Sequence, residues 1–267
     1  MLFFLRMRRV SLFILLALIP FSSAHAIDEF EVKGLQPLPP FGIFSTFSAE
    51  SLPRKKFGFG LSLERSFDPD YYVTTANVAV GILDNLELNA QLPYVSGWEN
   101  GVSGPEDFSI GIKHRLLDEG KLYPSIAYLV DASLGTGKDE FSTDGGFGGG
   151  LLLSKKVGPF KGHLNFLYFN PQASGLKERY LFNAGVELAV AHNSKILGEL
   201  VGRKDFFKNR LNLLEWRLGY RLAATDDIFA TAGVGFDIKN RTPDYRLLFS
   251  LSFILPREKK EIRKIYE

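Results

Sequence analysis

Cysteine is absent from this 267-residue chain. That excludes a disulfide scaffold and any thiolate nucleophile or metal ligand. Histidine is scarce, with His25, His114, His163 and His192 the only four. Past residue 26 no apolar run approaches the ~18 residues a spanning helix needs. The composition is nevertheless 45% hydrophobic, with 24 Phe and 10 Tyr. That apolar material has to be dispersed along the chain.

The first 26 residues differ from the rest. Arg6, Arg8 and Arg9 precede an apolar run from Ser11 to Pro20, and Ala24-His-Ala26 follows. A basic start, a short apolar core and an A-x-A end predict a secretory signal peptide over 1–26, cleaved after Ala26. A membrane anchor is the competing reading, and the run is short for one. The leader holds three of the 32 basic residues and none of the 30 acidic ones, so the remainder carries net −1. Nothing in that balance favours a polyanion, and no nucleic-acid partner is expected.

What remains alternates. Leu86-Glu-Leu-Asn-Ala-Gln-Leu92 places apolar residues at every second position, and Phe182 to Val190, Leu214 to Leu222 and Tyr245 to Phe253 repeat the pattern. Strands send successive side chains to opposite faces, so period two gives each segment one apolar and one polar face. Twelve such segments are predicted, near 56–66, 71–82, 86–95, 106–117, 122–133, 146–156, 160–169, 179–191, 195–204, 211–222, 228–238 and 243–255. Most match the ~9–11 residues of a tilted bilayer-crossing strand. Their connections alternate between tight turns, such as Leu83-Asp-Asn85 and Val157-Gly-Pro159, and longer polar loops, such as Ser96 to Pro105 and Gly135 to Asp144. Short turns at one end and long loops at the other are how outer-membrane barrels are built.

A soluble β-sandwich also shows short alternating strands. Its polar face would carry long solvated side chains. Here that face holds Gly58, Gly60, Gly111, Gly148, Gly150, Gly233 and Gly235. Aromatics recur near strand ends, at Tyr72, Tyr94, Phe147, Tyr168, Tyr180 and Tyr245 among others, as interfacial girdles require. The fold class expected is therefore all-β: a transmembrane antiparallel up-and-down barrel of about twelve strands. Its domains are the signal peptide 1–26, an extended periplasmic or lumenal segment 27–55, the barrel 56–255 and a charged periplasmic tail 256–267. Prolines between Gly34 and Gly42 exclude regular helix or central strand there.

Several stretches resemble the outer-membrane barrel family named for the MetA pathway of phenol degradation. These are Gly81 to Tyr94, Gly104 to Gly120, Leu134-Gly-Thr-Gly-Lys138, Leu197 to Gly202 and Thr242-Pro-Asp-Tyr-Arg246. The resemblance spans roughly residues 55 to 255 and implies a transporter-like barrel in the outer membrane of a Gram-negative bacterium. It implies no known substrate and no catalytic residue. Partners expected on this basis are outer-membrane lipid and lipopolysaccharide, the barrel-assembly machinery and a small-molecule solute. The chain departs from such barrels in continuing past Leu255 instead of ending at a terminal aromatic.

If the apolar set faces lipid, the other set lines the lumen. Parity places Glu87, Asn89, Gln91, Lys113, Arg115, Asp131, His163, Asn165, Glu187, Glu199, Glu215, Arg217, Arg221, Asp237 and Arg246 there. Both signs are interspersed, so the interior is expected to be a salt-bridged, water-lined pore or a mostly plugged one. Twelve strands lie between the ~8 that leave a lumen filled by side chains and the ~16–18 that leave an open channel.

No catalytic group is assigned. A Ser-His-acid arrangement needs three converging groups, and the His-x-Ser-Asn-Gly signature of twelve-stranded outer-membrane phospholipases is missing. Gly135-Thr-Gly-Lys138 lacks the spacing and helix of a phosphate loop. Asp68, Asp70, Asp139, Glu140 and Asp144 read as solvated loop charges, and neither metal nor cofactor is expected. Passage of a small solute, hydrophobic or aromatic if the resemblance holds, is the leading expectation. A closed structural or loop-display barrel is the alternative, and an outer-membrane hydrolase comes third.

Overall fold

The computed structural model describes residues 30, 32–204, 211–238 and 245–256. The expected leader, residues 27–29, the connections 205–210 and 239–244, and tail residues 257–267 lie outside the described residues. Thirteen strands occur among those described. They are β1 (Phe57–Phe67), β2 (Tyr71–Leu83), β3 (Leu86–Trp98), β4 (Val102–Pro105), β5 (Phe108–Leu117), β6 (Ser125–Leu134), β7 (Gly145–Val157), β8 (Phe160–Pro171), β9 (Arg179–Ala191), β10 (Ser194–Lys204), β11 (Leu211–Thr225), β12 (Ile228–Asp237) and β13 (Tyr245–Leu255).

Twelve of them form the wall. Each pairs antiparallel with its neighbours in sequence, β3 pairs with β5, and β1 closes the ring on β13 through Phe57↔Leu255 to Phe67↔Tyr245. Closure leaves no unpaired edge, which a sheet in hydrocarbon requires. The thirteenth, β4, was expected to be loop. It folds back on the end of β3 through Tyr94↔Pro105 and Trp98↔Val102. The β5–β6 connection also differs from expectation, running over 118–124 instead of four residues.

Alternation fixes which face goes where. In β1, Phe57, Phe59, Leu61 and Leu63 are exposed on the outside, while Gly58, Gly60 and Glu64 are buried inside. The same holds round the ring, with Phe166, Phe182, Leu218 and Phe249 outward against Asn165, Asn183, Arg217 and Thr231 inward. A belt of this extent has no counterpart on a water-soluble monomer, whose largest apolar patch is a few hundred Å². At the long-loop end the belt finishes in aromatics, where Tyr168 lies 5.2 Å from Tyr180 and Phe67 stacks on Tyr245 at 4.6 Å.

The lumen is occupied. Residues 32–56 run through it, starting from Phe30 at the long-loop end and reaching the short-turn end at Lys55 and Lys56, whose amides bond to Gly81 O and Pro53 O. A tight turn interrupts the descent, closed by the Gly42–Phe47 bridge. Three buried apolar clusters lie along this path, and each includes residues of the segment. The inward glycines make room for it. A Cβ at Gly60 would stand 2.5 Å from Leu38, and one at Gly233 would stand 2.4 Å from Phe44.

The outward belt generates a first prediction. Leu61→Arg, at the middle of β1, should lower unfolding stability in lipid vesicles by about 2–4 kcal/mol, the cost of a cation near the bilayer midplane. Urea titration followed by tryptophan emission measures it. An unchanged midpoint would mean that this face does not meet hydrocarbon.

Candidate functional site

A chain threaded through a barrel has no strand beside it. Its buried N–H and C=O groups still need partners. The wall supplies them from inward side chains. Gln36 N–H donates to Gln91 Oε1 at 2.7 Å, Phe47 N–H to Asn165 Oδ1 at 2.6 Å, Ala49 N–H to Ser154 Oγ at 2.8 Å and Leu52 N–H to Glu87 Oε2 at 2.6 Å. Glu199 Oε1 accepts from both Ser45 N–H (2.8 Å) and Thr46 N–H (2.7 Å). Carbonyls are caught in turn: Asn165 Nδ2 donates to Phe47 O at 2.9 Å, Asn183 Nδ2 to Ser45 O at 3.0 Å and Arg221 Nη2 to Gly42 O at 2.6 Å. Arg179 donates to Val32 O and Lys33 O. Asn165 thus holds Phe47 by both backbone groups, as a neighbouring strand would.

Among the described residues, the ion pairs of the lumen include three buried groups. In the first, Lys33 of the segment pairs with Glu64, which takes Arg246 at 3.0 Å. Arg246 reaches Glu215 at 3.6 Å, Glu215 takes Arg217 at 2.6 Å, and Arg217 reaches Glu199 at 3.3 Å. Three cations face three anions. Isolated, each would be very costly away from water; paired, they tolerate burial. In the second, Glu187 receives Arg221 (3.3 Å) and Lys195 (2.5 Å). The third is Lys113 with Glu87 at 3.2 Å.

All fifteen residues expected in the lumen lie at inward positions. Glu87, Asn89, Gln91, Lys113, His163, Asn165, Glu187, Glu199, Glu215, Arg217, Arg221 and Arg246 are buried. Arg115, Asp131 and Asp237 are half-buried. Arg115 sits at the short-turn end on Asp84 O and Asp118, apart from the ion groups. Asp131 and Arg179 line the same void of about 20 Å³. Sequence reasoning passed over Lys33, Ser154, Arg179 and Lys195. Strict parity finds the last three, which sit near strand ends. Nothing in the period-two signal finds Lys33, because it belongs to no strand.

Ser154, His163 and Glu187 do converge: Ser154 Oγ lies 2.7 Å from His163 Nδ1, and His163 Nε2 lies 3.6 Å from Glu187. Ser154 Oγ also accepts the Ala49 N–H, and both Ser154 and His163 are buried beneath the segment. The hydroxyl is a fastening for the backbone in this arrangement.

At the outer end the 135–144 loop is tied down by Asp107, between β4 and β5. Its carboxylate accepts from Gly137 N–H (3.0 Å), Ser142 Oγ–H (2.6 Å), and the N–H and Oγ1–H of Thr143 (2.8 and 2.7 Å). Burial pushes the Asp107 carboxyl up, but these bonds outweigh it and hold it below its ordinary range.

No protein-family model matches the chain, and no curated protein does. Solved structures share its fold. The KdgM porin is 9% identical with a TM-score of 0.56, over 73% of this chain and 98% of that one. An outer membrane channel from Pseudomonas putida F1 is 13% identical with a TM-score of 0.58, over 77% and 97%. The NanC porin is 7% identical with a TM-score of 0.52, over 74% and 98%.

Two outcomes follow. Arg217→Ala leaves Glu199 and Glu215 without their shared cation, so unfolding stability should fall by about 3–5 kcal/mol. Arg217→Met with Glu215→Gln should cost less than Arg217→Ala alone, as urea midpoints would show. For Asp107 the folded pKa is depressed, so its contribution is complete above the unfolded value of about 3.9 and fades as pH falls through the folded one. Amide-exchange protection at Gly137 and Thr143, corrected for intrinsic rate, should hold from pH 8 to 5 and drop only below about pH 4. Asp107→Asn should abolish that dependence.

Proposed function

We propose that this chain is a channel of the Gram-negative outer membrane, closed at rest by residues 30–56, that admits a small hydrophobic or aromatic solute when this segment moves. The observation that carries the reading is the way the segment is fastened. The segment's backbone is held by wall side chains through hydrogen bonds whose groups water can satisfy instead, beside apolar contacts of Leu35, Leu38, Phe47 and Leu52 with the wall. Each bond between neutral groups is worth only about 0.5–1.5 kcal/mol net, and each to an ionised side chain about 1.5–3 kcal/mol, because water replaces it. A lumen lined by Glu87, Gln91, Asn165, Glu199 and Arg217 would hydrate once vacated. An apolar wall would not.

Several features support the location. A closed barrel with an apolar exterior needs a bilayer, and in bacteria such barrels belong to the outer membrane. The expected leader over 1–26 suits export, and the shared fold with porins agrees. Lipid and lipopolysaccharide would surround the belt, and the barrel-assembly machinery would insert it. The resemblance of Gly81 to Tyr94 and Gly104 to Gly120 to the phenol-degradation family favours a hydrophobic or aromatic solute. A closed, non-transporting barrel is the second reading. It is favoured by the small voids left beside the segment, about 60 Å³ against Lys33, Gln36 and Glu64 and about 20 Å³ against Asp131.

One experiment separates them. A Cβ at Gly185 would stand 3.4 Å from the Cβ of Thr46, at the short end of the ~3.5–4.5 Å a disulfide spans. The chain has no cysteine, so Thr46→Cys with Gly185→Cys makes one unambiguous tether once the Ile43 side chain turns aside. In planar bilayers the oxidised protein should stay shut, and reduction should restore openings. Equal conductance in both states would show that the segment is not the gate. Silence in both, and also after deletion of 30–50, would establish the closed barrel.

A further inference from the structure

The outer third of the lumen breaks the rule that governs the rest. Elsewhere inward positions are mostly polar; here they include Tyr71, Val73 and Val95, all buried. Trp98, at the end of β3, and Phe141, in the short 139–141 turn, close over them. Into the space between Tyr71, Trp98 and Phe141 goes one further ring, that of Phe30. Its centroid lies 5.7, 5.1 and 4.6 Å from theirs, at interplanar angles of 62°, 83° and 62°. Edge-to-face contact on three sides is the geometry in which the positive edge of one ring meets the negative face of another. The cage is shaped for an aromatic guest, and its present guest belongs to the threaded segment, not to the wall.

A second observation concerns access. Outside the cage a vestibule of about 390 Å³ opens between residues 139–144 and 173–176, and Phe30 and Val32 form part of its lining. At that volume the vestibule admits a single ring, which would reach Phe30 directly. Asp139, Glu140 and Asp144 also line the vestibule, with no cation among the described lining residues; Glu140 pairs with Lys138 at 3.6 Å. That field disfavours anions. The loop that supplies Phe141 is pinned by the four bonds to Asp107, so the cage keeps its shape when the guest changes.

We propose that this cage is a binding site for a neutral single-ring aromatic molecule, and that Phe30 is its built-in occupant. A free ring entering from the vestibule competes with Phe30 for the space between Tyr71, Trp98 and Phe141. Displacement of Phe30 releases the outer end of the segment. This last consequence rests on the channel reading above, whereas the binding itself does not.

The chain contains two tryptophans. Trp98 is in the cage and Trp216 is on the outer face, half exposed. Trp216→Phe in the full-length protein therefore leaves a single reporter in the site. In detergent solution, benzyl alcohol should shift Trp98 emission saturably, with a midpoint at least fivefold below that of cyclohexylmethanol. Benzoate should bind more weakly than either. Phe30→Ala should lower the benzyl alcohol midpoint tenfold or more, because the internal competitor is gone. Phe30→Leu, which keeps apolar fill without the ring, should lower it less and serves if the alanine variant does not fold. No saturable shift, equal midpoints for the aromatic and saturated alcohols, or a midpoint unmoved by both Phe30 substitutions would each overturn the site. Vesicle-swelling measurements with and without benzyl alcohol keep the two claims apart. A Trp98 shift without flux leaves the site standing and sinks the channel. Flux without a Trp98 shift does the reverse.

Discussion

An extended chain inside a barrel must satisfy its backbone without a sheet, and this constraint orders the interior. Every buried N–H or C=O left unpaired would cost on the order of 1–3 kcal/mol, and the segment from residue 32 to 56 carries many. The wall answers with Gln91, Asn165, Asn183, Glu87, Glu199, Arg179 and Arg221. Parity predicts Gln91, Asn165, Glu87, Glu199 and Arg221 inside a lumen that is either a water-lined pore or mostly plugged, where their polarity alone would explain them. Their spacing along the lumen follows the path of the segment instead.

The charges obey the same constraint. Glu199 serves the segment's backbone and Arg217 together, while Lys33 joins the wall's ion group from the segment side. The wall part of that first group carries three carboxylates, Glu64, Glu199 and Glu215, against two guanidiniums, Arg217 and Arg246. Lys33 makes the balance even. Departure of the segment would take Lys33 from Glu64 and Glu50 from Lys161, so plug and wall are linked electrostatically at both ends of the lumen.

Much of this was legible in the sequence because period two is a strong signal in a strand buried on one side only. The bounds of β9 were read without error, and parity placed Asn165 inside and Phe166 outside with no further information. Of the glycines on the polar face, Gly58 and Gly60 lie against Leu38, Gly111 against Leu35 and Gly233 against Phe44, a trace of the segment, whereas Gly148, Gly150 and Gly235 meet other residues of the wall. The segment's course was not legible. Residues 32–56 have no period, and their prolines say only which structures are excluded. Their position depends on side chains far away in sequence, as Thr46 with Glu199 and Lys33 with Glu64 and Arg179 illustrate. β4 was missed for a related reason: four residues are too few to show alternation.

The segment is fastened unevenly along its length, and the unevenness has a direction. From Gln36 to Leu52 its backbone is held by hydrogen bonds that exchange with water at small net cost, while Leu38, Phe47 and Leu52 add apolar contacts with the wall. At its outer end the hold is apolar, through Phe30 and Val32 among Tyr71, Trp98, Phe141 and Phe169. Water cannot substitute for that contact, because exposing a buried ring forfeits its burial free energy, about 1.5–3 kcal/mol for a residue such as phenylalanine. Only another apolar group can take its place at comparable free energy. Under the channel proposal, the aromatic end is where a ring-bearing solute would compete with the segment most directly, because water is a poor replacement there.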